Sequence, residues 1–212
     1  MPSPQPDASR RNERSRRAIL TAAIDLVAEL GYAQASIEGI ARRAGVGKQT
    51  IYRWWPSKGA VVLEALNESL ATVAGFPDSG DIVEDLRVQM TGVSQLFRTE
   101  LGTVYQGLIA AAQSDPALSR AHVDQVIQPA IVACCQRLAV AQARGELRSD
   151  IDIQAMIDML WGALYYRLLL HVTPLETRQV DEVLKIAFEG LRQPSMAGLV
   201  GPRPENPRAA AH

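Results

Sequence analysis

The chain has 212 residues and a mass of 23.1 kDa, which bounds it to one or two domains. Apolar residues make up 47% and charged residues 21%, with a mean hydropathy of −0.03, a composition that excludes a wholly disordered chain. The net charge of −1 conceals an asymmetry: residues 1–60 hold ten Lys/Arg against five Asp/Glu, leaving 12 and 18 of the totals of 22 and 23 for the remainder. A basic end on an acidic body points to a polyanion at that end, against the alternative of chance clustering on solvated faces.

No stretch reads as the roughly 18 uncharged apolar residues of a membrane span. Met1 to Arg17 lacks the apolar centre of a secretory signal. Cys134 and Cys135 are adjacent and form no disulfide framework, which favours a reducing cytoplasm and no membrane partner.

In chain order, residues 1–9 are Pro/Ser-rich and read as a disordered tail. Arg10 to Leu30 carries an apolar stripe (Leu20, Ala23, Val27, Leu30) at helical spacing and ends at Gly31. Ser36 is placed to cap a second helix whose inner face is Ile37, Ile40, Ala41 and Ala44. Gly45 supplies a turn, and Gly47 to Trp55 reads as a short third helix closed by Pro56. Ser57 caps a fourth helix running to about Val73. After the break at 76–80, the spacing predicts helices over 81–101 and 102–114. A long helix follows from about Ser119 to Arg144, kinked at Pro129, with Asp115-Pro116 as a preceding turn. Two more helices, about 153–171 and 176–191, precede a Pro-rich tail from Gln193. No β pattern and no repeat appears. The expected fold is all-α with about nine helices: a tail 1–9, a helix-turn-helix domain 10–56, a connecting helix 57–75, an effector-binding and dimerisation domain 76–192, and a tail 193–212.

The functional signal lies in SIEGIARRAGVGKQTIYRWWPSK, residues 36–58. Two short helices about a glycine turn form the helix-turn-helix arrangement, in which the second helix enters the major groove. Lys48, Gln49, Thr50 and Arg53 cluster on the exposed part of the third helix. Lys and Arg donate to guanine, Gln pairs with adenine, and Thr meets a thymine methyl. Ile51 and Trp55, four apart, face inward. Lys58 opens the fourth helix, where the macrodipole disfavours a cation; a bound phosphate reverses that penalty, whereas a solvated side chain merely evades it.

Residues 14–63 resemble the DNA-binding domain of TetR/AcrR-family transcriptional regulators, on ILTAAIDLVAELGY and ASIEGIARRAGVGKQTIYRWWPSKGAVVLEAL. The resemblance implies that Ser36, Tyr52 and Lys58 contact phosphate and that Lys48, Gln49 and Thr50 read bases or backbone. Arg53 is added from the residue chemistry. Glu38 and Gly39 depart from members that place a basic residue there, and Glu38 is not counted as a contact. The stretch ARGELRSDIDIQAMIDMLWGALYYRLLL is similar to one effector-domain subfamily, and the family dimerises through its last two long helices. The interface residues expected here are Met156, Leu160, Trp161, Leu164, Leu168, Val183 and Ile186.

The resulting expectation is a repressor, without cofactor or metal, bound as a homodimer to a near-palindromic double-stranded DNA operator. A small apolar or aromatic effector releases it, from a pocket walled by Met90, Val93, Phe97, Tyr105, Leu108, Ile109, Gln128, Cys135, Trp161 and Tyr165. Ordinary core is the competing reading of each wall residue. An activator, or a helical protein-interaction module without ligand, would use the same helices. An enzyme is disfavoured: His122, His171 and His212 are scattered, and no Gly-rich phosphate loop or nucleophile elbow occurs.

Overall fold

The computed structural model describes residues 8–189, and every regular element among them is helical. The expected tail 193–212 lies outside these residues, as do residues 1–7 of the N-terminal one. Ala8 and Ser9, expected in that tail, instead begin α1 (Ala8–Leu30).

Helix α2 (Ile37–Ala44) starts where Ser36 Oγ accepts from the Gly39 amide at 3.1 Å and stops at Gly45, whose φ of 68° is left-handed. Helix α3 (Lys48–Tyr52) is shorter than expected; the chain continues beyond it as a turn, in which the Trp54 and Trp55 amides both donate to Ile51 O. Helix α4 (Lys58–Ala71) is capped by Ser57, whose Oγ accepts from the Ala60 amide. The close packing of α2 on α1 explains the departure at position 39. A Cβ on Gly39 would come within 2.7 Å of Leu26 Cδ2.

Helix α5 (Ile82–Phe97) and helix α6 (Glu100–Ala112) meet two residues earlier than the sequence suggests. Thr99 caps α6 by accepting from the Leu101 amide, and Gly102 lies one turn inside it. That glycine permits the tight corner, since a Cβ there would stand 1.9 Å from Phe97 O.

Asp115-Pro116 is the cap and first position of a helix rather than a free turn. Helix α7 (Pro116–His122) passes through a π turn (Val123–Ile127) into α8 (Gln128–Ala143), giving one rod from Pro116 to Ala143. Pro129 cannot donate in an α-helical ladder, and its ring crowds the carbonyl four residues back. The π turn accommodates this, with the Gln128 amide donating to Val123 O five residues back. The rod has no 18-residue stretch free of charge, since it holds Arg120, Asp124 and Arg137, yet by length and mean composition it is apolar enough to cross a membrane. It nevertheless carries Arg137, buried and ion-paired to Asp85 within the chain.

Gly145, with φ 78°, ends the rod. Helix α9 (Ile153–Leu170) and helix α10 (Thr177–Glu189) complete the fold, so counting the rod once gives nine helices among the described residues. The core runs continuously from Ile19, Ile40, Ile51 and Trp55 at the N-terminal end to Leu86, Tyr105, Leu138, Leu160 and Leu184. Helix α4 is not the sole link between the two regions. Helix α1 packs on α6, and α4 packs on both α6 and α7.

Candidate DNA interface and effector cavity

The inward residues of the helix-turn-helix fix its outward ones. Ile51 is fully buried, and buried Trp55 donates from Nε1 to Glu64 Oε2 at 2.5 Å, tying the end of α3 to α4. Arg16 Nε donates to the same Glu64 at 2.9 Å, bringing α1 into the joint. With that face anchored, Lys48, Gln49, Tyr52 and Arg53 are exposed and Thr50 half-buried. Trp54 stands edge-on to Trp55, with the Arg53 guanidinium 5.8 Å from the Trp54 ring centre.

Part of the basic surplus is paired at home. Arg16 meets Glu64 and Glu68, Arg17 meets Glu13, Arg43 meets Glu29, and Lys48 meets Glu38 at 3.3 Å. Glu38 therefore holds Lys48. Its carboxyl lies below the usual range because its own amide, and then Lys48, hydrogen-bond to it. Both members are more than half exposed, so the pair is screened by water and easily given up to a phosphate or a base edge. Arg42 and Arg53 form no ion pair among the described residues.

Ser36 and Lys58 stand at the two helix starts beside α3. The Ser36 oxygen is used as a cap, and its hydroxyl proton remains available to an acceptor. Lys58 is turned inward: its ammonium donates to Tyr32 O and to Ala35 O at 2.9 Å, and stands 4.2 Å from the Tyr32 ring centre. The conflict with the α4 dipole is thus met inside the chain, by carbonyls of the α1–α2 connection. Burial pushes the ammonium below its ordinary pKa.

A cavity of about 300 Å³ lies between α5, α8 and α9, with Phe76 at its border. Of the expected wall residues, only Trp161 and Tyr165 line it; the rest of the wall is Gln89, Ile127, Ala130, Ile131, Cys134, Ile157, Asp158 and Gly162. Met90, Val93, Phe97, Tyr105 and Leu108 are core, with Phe97 stacked on Tyr105 at 5.2 Å where a ligand was expected. Ile109 is half-buried against the same core. Gln128 points to solvent, and Ile127 and Cys134 line the cavity in place of Gln128 and Cys135. The π turn inserts an extra residue and resets the phase of the rod, so an ideal helical period misassigns its inner face. Burial pushes the Cys134 thiol up to about 12, leaving it neutral.

The cavity wall connects to the DNA-binding end through named contacts. The Tyr165 hydroxyl lies 2.9 Å from the Tyr105 hydroxyl, which lies 2.8 Å from His122 Nε2 in α7. One turn before His122, Leu118 packs on Gly59 in the first turn of α4, and Tyr32 packs on Gly107 of α6.

The expected dimer residues divide. Met156, Leu160, Leu164 and Leu168 are buried inside the protomer, so they are core rather than a partner surface. Trp161 lines the cavity, Val183 is half-buried, and Ile186 is 45% exposed. Helix α9 has three sectors: one toward the core, one toward the cavity, and one outward through Met159 and Tyr166, which are 50% and 56% exposed. Apolar residues lie on more than one face of α9, and packing decides which of them stays free.

Residues 19–65 match the family described as bacterial regulatory proteins, tetR family, and residues 76–187 match the tetracyclin repressor-like C-terminal domain. The chain belongs to the TetR family. It is 33% identical to an uncharacterised helix-turn-helix transcriptional regulator, YdeS of Bacillus subtilis, over 87% of this chain and 93% of that one. Among solved structures, the TetR-family regulator SCO0332 superposes with a TM-score of 0.71 at 34% identity, covering 84% of this chain and 99% of the other. The regulator FadR of Bacillus subtilis, solved with stearoyl-CoA, shares the fold at TM-score 0.69 and 21% identity, covering 83% and 99%. This TetR-family chain is accordingly a helix-turn-helix transcriptional regulator.

Proposed function

We propose that the chain is a homodimeric, ligand-responsive repressor that holds a near-palindromic operator through α3 and releases it when a small molecule fills the cavity beside Trp161. The observation that carries this is the division of α3. Ile51 is fully buried and the following Trp55 is tied to α4, while Lys48, Gln49, Tyr52 and Arg53 are left to solvent on a short, fixed helix. Such a helix suits the major groove, with Lys48 and Gln49 toward base edges and Thr50 and Arg53 completing the surface. Ser36, Tyr52 and Lys58 would take phosphates, Lys58 through the donor that its two carbonyls leave free.

Dimerisation would use the outward sector of α9 with α10, through Met159, Tyr166, Val183 and Ile186. A two-fold axis there would present two α3 helices to successive major grooves, hence a near-palindromic site. The contacts from Tyr165 through His122 to Leu118 and Gly59 give the cavity a route to α4. A ligand would act only through its differential affinity for two spacings of the α3 helices. No catalytic residue is assigned.

The test is selection of bound duplexes from a random pool, followed by screening for compounds that release them. Reciprocity requires that operator weaken ligand binding by the factor by which ligand weakens operator binding. Equal ligand affinities with and without operator would refute release by this route.

A further inference from the structure

We propose that the cavity takes a compact apolar cation, a flat ring body carrying one protonated amine held at Asp158. The proposal rests on reading this cavity as the effector site, and it concerns the chemistry the walls accept. Among the described residues, Asp158 is the one charged residue on the lining, which holds no Lys, Arg or His; it is exposed at the cavity's edge. Gln154 Nε2 donates to Asp158 Oδ1 at 2.8 Å, which leaves the second carboxylate oxygen for a ligand. Arg137, one turn beyond Cys134 on α8, is ion-paired to Asp85 and Glu146 and lies off the lining, with its Nη1 buried and unpaired. An anion entering here would therefore meet a carboxylate and no countercharge, whereas an ammonium would gain a partner.

Gln89 also borders the cavity and is 6% exposed, with its Nε2 donating to Val73 O at 3.4 Å. Its Oε1 is buried beneath the lining rather than on it, so the demand for a cation rests on Asp158. Trp161 and Tyr165 place aromatic rings on the lining, and such rings attract a cation or pack against a flat ring. A volume of about 300 Å³ is at the small end for ligand sites and suits a compact body. A fatty acyl-CoA, with its several phosphates and long tail, fails on both charge and size. Likeness of fold to an acyl-CoA binder thus does not carry its ligand to this chain.

The experiment uses three matched probes, naphthylethylamine, naphthylethanol and naphthylacetate, titrated calorimetrically into the full chain without DNA. The amine is expected to bind about tenfold or more tighter than the acetate, as reversal of one solvent-exposed charge contact allows. Asp158→Asn should bring the two within about threefold while leaving the alcohol unchanged. Gly162→Leu should abolish binding of the amine and keep the fold, because a Cβ at 162 meets nothing within 4 Å. Acetate or stearoyl-CoA binding as tightly as the amine would overturn the proposal, as would no binding by any probe. Release of a bound duplex is scored separately. An amine that binds without releasing DNA fails the effector reading and still supports the ligand chemistry; an acid that releases DNA does the reverse.

Discussion

Leu118, in the first turn of α7, lies so close to Gly59, in the first turn of α4, that a Cβ at position 59 would stand 2.9 Å from Leu118 Cδ1. The same Cβ would be 3.1 Å from the Tyr32 hydroxyl. This is where the rod bordering the cavity touches the helix that carries the DNA-binding end. Overfilling such a contact costs about 1–3 kcal/mol. Gly59→Ala should lower stability by that order, and Leu118→Ala should absorb part of the cost. A double-mutant cycle by chemical unfolding should give a coupling of at least about 0.5 kcal/mol. Additive losses would mean that the two helices do not bear on each other in solution.

Lys58 tests whether an inward cation is structural. Lys58→Ala leaves Tyr32 O and Ala35 O without their donor, at about 1–3 kcal/mol for buried acceptors left unsatisfied. The free protein should unfold at a lower denaturant concentration. If the remaining donor also meets phosphate, the log–log salt slope of DNA binding should flatten by roughly 0.9 per lost contact. Unchanged stability of the DNA-free variant would contradict the capping role.

The outward and inward faces of α9 and α10 make opposite predictions. Tyr166→Glu or Ile186→Glu, on the outward side of α9 and α10, should give folded monomers in sedimentation with DNA affinity lost. Leu164→Asp, at 1% exposure, should instead unfold the protomer. A wild-type monomer that binds DNA tightly would refute the dimer.

Acid should act through His122. Burial lowers its pKa, so the folded state prefers the neutral ring, whose Nε2 is able to accept from Tyr105. The unfolded ring titrates near about 6.5. The stabilising contribution is complete above that pH and is lost as pH falls toward the lower folded value. Thermal unfolding midpoints should fall as pH drops below about 6.5, and His122→Gln should remove most of that dependence. Asp85 belongs to a separate, more acidic window. Burial pushes its carboxyl up, but Ser79 and Arg137 more than offset this, so its contribution fades only below about pH 3.9. Identical slopes in wild type and His122→Gln near pH 6 would contradict the assignment.

Local punctuation made the DNA-binding end legible in the sequence. Ser36, Gly45 and Ser57 act as cap, turn and cap, each through a backbone contact three or four residues away. What the sequence hid depended on non-local geometry. The inward turn of Lys58 depends on where α1 ends in space, and the Trp55–Glu64–Arg16 joint spans three helices. The cavity was misplaced for a different reason. A π turn has no periodic signature, so an ideal helical period points Gln128 and Cys135 inward, whereas Ile127 and Cys134 line the cavity. Helix α9 has apolar residues on several faces, and only packing decides that Leu164 is core while Tyr166 is free.

The central claim is that α3 reads sequence. Its most direct test is the affinity of wild type, Lys48→Ala and Gln49→Ala for a selected duplex and for a scrambled one at fixed salt. The account predicts a loss of about 1–3 kcal/mol for each variant on the selected duplex and a clearly smaller loss on the scrambled one. Equal losses on both duplexes, or none on either, would contradict it.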